Sequence, residues 1–452
     1  MKRNSEREIA THILGEITTL NSYNNIVLRK ALNKNKALLP MQRAFITELV
    51  NGTLRNLIYI DYVINSFSKT KTSKMKPLIL SVLRISVYQI MFLDKVPNSA
   101  ICNEAVNLVK SKGFSNLSGF VNGVLRSIIR APEIDLPNEV DEPIKYLSVK
   151  YSYSEWIIKY WLETYSFDIV HKMCEANSVA PAVTICVNTL KTCKDSLKQI
   201  LTDEGVQIFD GELLESSLRI SPRGDITELN SFRNGLFHIM DESSMLSGMI
   251  TNPQKNSKVF DVCAAPGGKS FYMSYMMNNT GEILCNDIYE HKIELINDGI
   301  KRLGLKNVSA EIGDALEIDD SKIGKADYVL IDAPCSGLGI VRKKPDIKYS
   351  KTLDEIHKLV KVQRDILKSS SKYVKPGGTL VYSTCTVSKL ENENNISWFI
   401  KNFPFELEDI TPFLPKNITG GTLRDGYVQI LPSDYNSDGF FVARFRNCEI
   451  IE

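Results

Sequence analysis

Several features that define other classes of protein are missing from this chain of 452 residues. Its longest apolar stretches are strand-sized, as at residues 328–331, and none approaches the roughly 20 residues that a membrane span requires. The charged N-terminus, residues 1–10, has no apolar signal region behind it. Both absences argue against a membrane or secreted protein, and we expect a cytoplasmic one.

Paired metal-binding motifs are absent as well. The nine cysteines form no CxxC pattern, and no HxxxH cluster would hold zinc, so no metal is expected. Cysteines without a pairing pattern fit a reducing compartment, in which a thiol is either buried or chemically active. Taken singly, six of them are interpreted as small buried apolar residues, namely Cys102, Cys174, Cys186, Cys193, Cys285 and Cys448.

Acidic residues are scarce in the first third of the chain. Residues 1–135 contain 19 lysines and arginines against 9 acidic residues, a net charge of +10, whereas the remainder has 36 against 44, a net charge of −8. A basic module on a mildly acidic body is typical of a separate polyanion-binding domain. The alternative is a solvated charged surface.

The spacing of apolar residues predicts where the domains lie. In residues 1–135 they recur at helical spacing, for example at Ile9 and Ile13, which predicts an all-helical bundle. Two prolines and several acidic residues in 131–140 predict a linker. Residues 141–237 combine a predicted helix pair with a β-branched run, a further helix and short strands, and are interpreted as a small α+β domain.

The remaining residues, 238–452, alternate short apolar runs with longer amphipathic stretches. The runs lie at residues 259–262, 283–285, 308–312, 328–331 and 379–382. Strands that alternate with helices at this interval predict βαβ units and a parallel sheet. In such an α/β domain the ligand site lies at the carboxyl ends of the strands.

A glycine-containing loop follows the first run directly and opens a predicted helix. Its residues are Cys263, Ala264, Ala265, Pro266, Gly267, Gly268 and Lys269. Glycines let the backbone approach a ligand closely, and a helix N-terminus offers N–H groups to a carboxylate. The loop lacks the GxGxxG spacing of dinucleotide binders and the GxxxxGKS/T of a P-loop, which disfavours NAD and ATP.

Two aspartates extend this candidate cofactor site. Asp287 follows the second run, where an acidic residue can accept both ribose hydroxyl protons, and Asp314 follows the third, where it could accept from an adenine amino group. Either one alone could instead be a helix N-cap. Together with the loop they indicate a cofactor that joins adenosine to an amino acid.

The fourth and fifth runs are each followed by a cysteine. Asp332 and Cys335 follow the fourth and Cys385 the fifth, so neighbouring strands would bring both thiols and the carboxylate to one pocket. Carbon 5 of cytosine attacks a methyl sulfonium only after a thiolate has added to carbon 6. One thiol is thus predicted as nucleophile, the other thiol or a water as base for the carbon 5 proton, and Asp332 as the group that bonds N3 and the amino group. Spacing alone does not order the thiols.

These motifs resemble those of the RNA cytosine-C5 methyltransferases, and nearly the whole chain resembles the bacterial 16S rRNA family RsmB (Sun/Fmu). Family motifs match at residues 263–269, 287, 314, 332–337, 382–385 and 438–441. The helical third resembles the NusB fold, an RNA-binding module, at residues 96–97, 100, 104–106 and 120–126.

The resemblance implies roles for individual residues. Cys385 corresponds to the nucleophile and Cys335 to the cysteine needed for product release, while the loop with Asp287, Asp314 and Asp332 would bind S-adenosylmethionine. The implied architecture is a NusB-like bundle, an RRM- or ferredoxin-like RNA-binding extension and a Rossmann-like class I methyltransferase domain. The implied product is 5-methylcytosine in 16S rRNA, with cytosine 967 as the expected target. A monomer is expected, with 16S rRNA as partner and no membrane.

Two positions depart from the family pattern. Met240 stands where relatives usually have glutamine, and Cys186 where they commonly have arginine, which puts one RNA contact of the middle domain in doubt.

Three other functions compete with this interpretation. A tRNA cytosine-C5 methyltransferase would share the catalytic motifs, whereas a NusB-like RNA-binding or antitermination factor would need neither the loop nor the two cysteines. Amino-group methyltransferases typically use an Asn/Asp-Pro-Pro-aromatic turn where this chain has Asp332-Ala333-Pro334-Cys335.

Overall fold

The computed structural model describes residues 5–20, 22–131, 133–221 and 224–449. Residues 1–4 of the charged N-terminus and Pro132 of the predicted linker lie outside the described residues. The chain divides into two compact units. The first comprises Met1–Val179 and Val341–Ser350, and the second Ala180–Ile340 and Lys351–Glu452. Across the described ranges, no helix is long and apolar enough to cross a membrane.

The first unit is helical, as the apolar spacing predicts. Its helices are α1 (Glu6–Leu20), α2 (Asn24–Lys34), α3 (Pro40–Arg55), α4 (Leu57–Phe67), α5 (Pro77–Phe92), α6 (Asn98–Ser111), α7 (Ser118–Arg130), α8 (Pro143–Tyr151), α9 (Glu155–Leu162) and α10 (Phe167–Ala176). Proline opens α3, α5 and α8, where its missing N–H costs no helical hydrogen bond. Buried residues such as Ile13, Leu49, Leu83 and Leu125 form the core of the bundle.

The prediction of a helix pair after residue 141 is wrong, because the structure has three helices there. Ser152 adopts a left-handed conformation with φ of 56° and ends α8. Ser166 begins α10, since its side chain accepts a hydrogen bond from the Ile169 N–H. These helices also belong to the first unit, whereas the predicted boundary joins them to the middle domain. Helix α8 packs against α4, and the Tyr59 N–H donates to Ser152 Oγ at 2.9 Å.

Residues 341–350 belong to this unit although they are distant from it in sequence. Lys348 is fully buried, and its Nζ donates to the carbonyl oxygens of Tyr151 at 2.7 Å and Arg55 at 3.1 Å. The ammonium also lies 4.4 Å from the centre of the Tyr153 ring. The segment is therefore held in the helical unit by a buried amino group.

The second unit begins with a small sheet. Its elements are β1 (Val183–Val187), α11 (Lys194–Asp203), β2 (Gln207–Asp210), β3 (Ser217–Ser221), α12 (Asn230–Arg233) and β4 (Phe237–Ile239). The strands pair antiparallel in the order β2-β3-β1-β4. On β1, Ile185 and Val187 pack in the core of this sheet and Cys186 packs on the other face. The predicted α+β middle domain is thus confirmed.

The large sheet follows. Its elements are α13 (Glu242–Thr251), β5 (Lys258–Asp261), α14 (Gly268–Met276), β6 (Glu282–Asp287), α15 (Glu290–Leu303), β7 (Val308–Ile312), β8 (Ala326–Asp332), α16 (Ile347–Ser350, in the first unit), α17 (Leu353–Ser370), β9 (Val374–Thr384), α18 (Glu393–Asn402), β10 (Phe405–Leu407), β11 (Tyr427–Ile430) and β12 (Phe440–Asn447). The strand order is β10-β12-β9-β8-β5-β6-β7, and β11 pairs with β12.

All five apolar runs are parallel strands of this sheet, which confirms the predicted α/β domain. The antiparallel strands β10, β11 and β12 were not predicted. The strand order reverses beside β5, which has β6 on one side and β8 on the other. Such a switch point opens a crevice at the carboxyl ends of the strands.

The cysteines predicted to be buried do not all behave alike. Cys102, Cys174, Cys186 and Cys285 are buried, but the prediction is wrong for Cys193 and Cys448, which are exposed. Cys193 precedes α11 as its N-cap and Cys448 follows the last strand, so neither lies within an element that faces a core.

We predict that Lys348 makes the stability of the protein depend on pH. Burial, assisted by the Arg55 charge, lowers the pKa of Lys348 from 10.5 to about 7. Between pH 7 and pH 10.5 the unfolded chain binds up to one more proton than the folded protein, so the free energy of unfolding should rise with pH. Below pH 7 the cost of burying the charged amine destabilises the folded protein in full. Denaturant unfolding at pH 7 to pH 10 should show a smaller rise for Lys348→Met than for the unmodified protein.

The exposed Lys95 offers a matched control, because Lys95→Met removes the same charge without removing a buried ammonium. It should keep the full rise. Equal slopes for the two variants would contradict the assignment.

Candidate active site

Of the residues predicted to hold the cofactor, Cys263 to Gly267 form the loop between β5 and α14, and Gly268 and Lys269 are the first two residues of α14. Gly267 has φ of 100°, and a Cβ atom there would lie 2.4 Å from Phe271 Cζ. Its N–H donates to the Ala264 carbonyl oxygen at 2.7 Å, which closes a tight turn. A side chain at this position would collide with the Phe271 ring, so the turn that leads into α14 requires glycine.

A histidine that the sequence analysis missed supports this loop. His238, on β4 of the small sheet, is buried and places Nε2 3.2 Å from the Gly268 carbonyl oxygen and Nδ1 3.1 Å from the Tyr275 hydroxyl. Burial, with the Arg302 charge, lowers the pKa of His238 to about 3. The neutral ring therefore donates from Nε2 to Gly268 and accepts from Tyr275 at Nδ1.

The two departures from the family pattern lie inside the protein. Met240 is buried, and its Sδ lies 3.6 Å from the position of a Cβ on Gly268. Cys186 is fully buried between the small sheet and α14, in the same cluster as Met245 and Tyr272. Cys186 is therefore not accessible to a ligand at the surface of the middle domain.

The two predicted cofactor aspartates lie at neighbouring strand ends. Asp287 ends β6, is nearly buried, and pairs with Lys292 Nζ at 3.2 Å. Asp314 lies two residues after β7 and lines a cavity of about 170 Å³ together with Asn286 and Ile312. Its Oδ1 accepts from the Leu316 N–H at 2.9 Å. The structure thus brings both carboxylates to the carboxyl edge of the sheet.

Asp332, at the end of β8, connects the cofactor loop to the next strand. Its Oδ2 accepts from Lys269 Nζ at 2.7 Å, and its Oδ1 accepts from Ser383 Oγ at 3.0 Å. Burial opposes the charge of Lys269, but the Asp332 carboxylate outweighs it and raises the pKa of that amine, with a smaller contribution from Cys385. An ammonium therefore stands beside the candidate catalytic carboxylate.

The two candidate catalytic thiols are neighbours. Strands β8 and β9 pair with Asp332 opposite Ser383, and the Sγ atoms of Cys335 and Cys385 lie 3.1 Å apart. The hydrogen bond to Cys385, burial and the charge of Cys385 raise the pKa of Cys335 well above its ordinary value. Cys335 is therefore protonated and can donate its S–H to the Cys385 sulfur.

Another buried carboxylate, to which the sequence analysis gave no role, lies beneath the cofactor loop. Asp261, at the end of β5, is fully buried and accepts from Ser270 Oγ at 2.7 Å. Its Oδ1 has no hydrogen-bond partner among the residues that the structure describes. Burial raises the pKa of Asp261 to about 7 and the Asp332 charge adds to the shift, so the group titrates near neutrality.

The fold and the site together define a class of protein. In its sequence a NusB-like domain and a ferredoxin-like domain precede a Rossmann-like methyltransferase domain. The model of the 16S rRNA methyltransferase RsmB/F family matches residues 248–446. The NusB family model matches residues 4–130, and the ferredoxin-like domain of RsmF/B-like methyltransferases matches residues 153–227.

Full-length relatives agree. The chain is 38% identical to "Probable ribosomal RNA small subunit methyltransferase B" of Bacillus subtilis, over 99% of both chains. It is 32% identical to the protein of the same name from Synechocystis, over 98% of this chain and 99% of the other. The solved structure of PH0851 covers 98% of this chain and 99% of its own, at 25% identity and a TM-score of 0.81. The chain therefore belongs to the RsmB/F family of 16S rRNA methyltransferases, which depend on S-adenosylmethionine.

We predict that Asp287→Ala weakens binding of S-adenosylmethionine. Hydrogen bonds from the ribose hydroxyls to a carboxylate should be lost, and such bonds contribute about 1.5–3 kcal/mol, which is roughly a 10- to 100-fold change in Kd. Isothermal titration calorimetry measures the effect. Asp298→Ala removes an exposed carboxylate on α15 and should leave the affinity unchanged. Equal affinities for both variants would reject the ribose role.

Proposed function

We propose that this protein transfers a methyl group from S-adenosylmethionine to carbon 5 of a cytosine in 16S rRNA, with cytosine 967 as the expected target, through a covalent bond from Cys385 to carbon 6. The observation that carries the proposal is the pair of thiols 3.1 Å apart beside Asp332. The names of the small subunit methyltransferase B relatives support rRNA rather than tRNA as substrate.

The first step is attack by the Cys385 thiolate on carbon 6. Cys335 can donate its S–H to the Cys385 sulfur 3.1 Å away, which is compatible with the nucleophilic role that the family resemblance implies for Cys385. Each oxygen of Asp332 can accept a second hydrogen bond, so the cytosine amino group can donate to it while Lys269 and Ser383 stay in place. Addition to carbon 6 makes carbon 5 nucleophilic, and the cofactor supplies the methyl group as the electrophile.

The second step is removal of the carbon 5 proton and release of Cys385. The largest cause of the raised pKa of Cys335 is its hydrogen bond to Cys385, and the charge of Cys385 adds to it. Once Cys385 is bonded to carbon 6 it carries no charge, so both contributions weaken and Cys335 can lose its proton more readily. Its thiolate, or a water that it positions, then takes the carbon 5 proton, and the carbon–sulfur bond breaks.

The first unit supports an RNA partner. Lys69, Lys71, Lys74 and Lys76 are all exposed, and no acidic residue stands between them in the sequence. Exposed lysines bind phosphates, and this binding releases counterions. Such phosphate contacts carry no sequence information but position the RNA. The basic charge of the helical unit therefore fits an affinity module for the substrate.

Methylation of naked RNA tests the proposed function. The purified protein, with labelled S-adenosylmethionine, should methylate one cytosine of 16S rRNA, and bisulfite sequencing should locate it. The Cys385→Ala variant provides the inactive control. Methylation confined to tRNA would overturn the choice of substrate, and RNA binding without any methyl transfer would favour a NusB-like binding factor.

We predict that the two cysteine variants leave different products. Cys335→Ala should still attack and methylate the base but stall at release, so a protein–RNA adduct with the labelled methyl group should survive a denaturing gel. Cys385→Ala should bind RNA and form neither adduct nor product, because no bond to carbon 6 can form. The exposed Cys193 serves as control, since Cys193→Ala should turn over normally without an adduct.

An adduct with Cys385→Ala instead would reverse the two roles. If both variants keep activity and neither gives an adduct, covalent catalysis by these thiols is wrong.

A further inference from the structure

We propose that Glu391 is a positioning residue that holds the two thiol-bearing loops together, an inference that rests on the proposed function of those thiols. Glu391 lies between β9 and α18 and is fully buried. It touches neither sulfur. Its carboxylate instead bonds the residue that directly follows each cysteine.

The contacts with the Cys335 loop are the strongest. Glu391 Oε1 accepts from the Ser336 N–H at 2.8 Å, and Oε2 accepts from Ser336 Oγ at 2.6 Å. Both carboxylate oxygens thus bind Ser336, and these two hydrogen bonds fix the direction in which the backbone leaves Cys335.

The same carboxylate reaches the other loop. Thr386 Oγ1 lies 3.4 Å from Glu391 Oε2 and 2.8 Å from Ser336 Oγ. Ser336 and Thr386 follow Cys335 and Cys385 directly, so a hydrogen-bonded triangle closes immediately behind the two sulfurs. Its geometry sets the spacing of the thiols.

Gln363, on α17, connects Glu391 to the residue that precedes Cys335. Its Nε2 donates to Glu391 Oε1 at 3.0 Å and to the Pro334 carbonyl oxygen at 2.9 Å. Cys335 is therefore fixed on both sides, through Pro334 before it and Ser336 after it. The Gln363 Oε1 in turn accepts from Asn395 Nδ2 at 2.8 Å.

Glu391 is itself anchored to the sheet. The Tyr382 hydroxyl donates to the Glu391 carbonyl oxygen at 2.8 Å, and Asn395 Nδ2 donates to the same oxygen at 3.0 Å. Tyr382 lies on β9, three residues before Cys385. The arrangement is thus anchored to β9, the strand that Cys385 directly follows.

The donors around this carboxylate are neutral, namely a backbone N–H, hydroxyls and an amide. Burial raises the pKa of Glu391, and the bonds from Ser336 and Gln363 oppose that shift. Burying a carboxyl group costs free energy unless its hydrogen bonds are made, so a replacement that keeps them should keep the geometry. Glutamine can keep the contacts with both thiol-bearing loops, because its oxygen can accept from the Ser336 N–H and from Gln363 while its amide donates to the hydroxyls of Ser336 and Thr386.

The first experiment measures the spacing of the thiols without RNA or cofactor. Diamide oxidises two adjacent thiols to a disulfide and is itself reduced to the hydrazine, at a rate that depends on how closely the sulfurs approach. Peptide mapping should show the Cys335–Cys385 disulfide forming in the unmodified protein and in Glu391→Gln. In Glu391→Ala it should form roughly tenfold more slowly, since the loops are no longer tied. Glu294→Ala, at an exposed site on α15, is the control.

An unchanged oxidation rate in Glu391→Ala would overturn the proposal. Circular dichroism shows whether that variant folds. If it does not, Ser336→Ala combined with Thr386→Val removes the hydroxyl contacts and leaves Glu391 in place. A rate equal to that of the unmodified protein in this double variant would contradict the proposal in the same way.

The second experiment separates positioning from RNA binding. In Glu391→Ala, kcat for methyl transfer should fall roughly 100-fold, the scale expected when reacting groups are misplaced by about 1 Å, while KM for RNA stays within about twofold. Glu391→Gln should recover most of the activity. A raised KM at unchanged kcat would assign Glu391 to RNA binding instead.

The two experiments fail in different ways. If the unmodified protein does not methylate RNA, the proposed function is wrong, but the order of the oxidation rates still decides whether Glu391 holds the thiols together.

Discussion

The parallel pairing of β8 with β9 is the constraint on which the candidate active site depends. It places Asp332 opposite Ser383, so two strands that are about 50 residues apart in sequence end at the same level. Because the carboxylate closes one strand and a thiol follows the other, the chemistry needs no long loop to bring its groups together. A slip of one residue would turn Asp332 to the opposite face of the sheet and away from Lys269.

Polar groups buried around that pair supply rigidity at a cost in desolvation. Lys269 and Asp332 neutralise one another at 2.7 Å, whereas Glu391 relies on neutral donors and Asp261 keeps one oxygen without a partner among the described residues. Glu391 and Asp332 each favour a single arrangement of their loops, because any other would leave a hydrogen-bonded acceptor without its partners. The first unit uses the same device, since Lys348 holds residues 341–350 through two carbonyl oxygens.

The small sheet contributes to the cofactor site as well as to its own core. His238 on β4 remains neutral and bonds the carbonyl oxygen of Gly268, the first residue of α14. Cys186 and Met240 pack on the same side of that sheet. These two apolar side chains fill the contact between the sheet and the methyltransferase core.

Local patterns in the amino-acid sequence predicted the three kinds of domain, the five parallel strands, and the loop, aspartates and cysteines that follow these strands. They could do so because these features depend on local periodicity and on the rule that parallel strands share one carboxyl edge. The buried polar contacts of the site depend instead on residues that are distant in sequence. Glu391 bonds a residue 55 positions away and His238 one 30 positions away, and Lys348 reaches a carbonyl 293 positions away. No local pattern in the sequence identifies a polar side chain whose partner is set by packing. The same limit applies to α8 to α10 and to residues 341–350, which belong to the first unit because of their contacts.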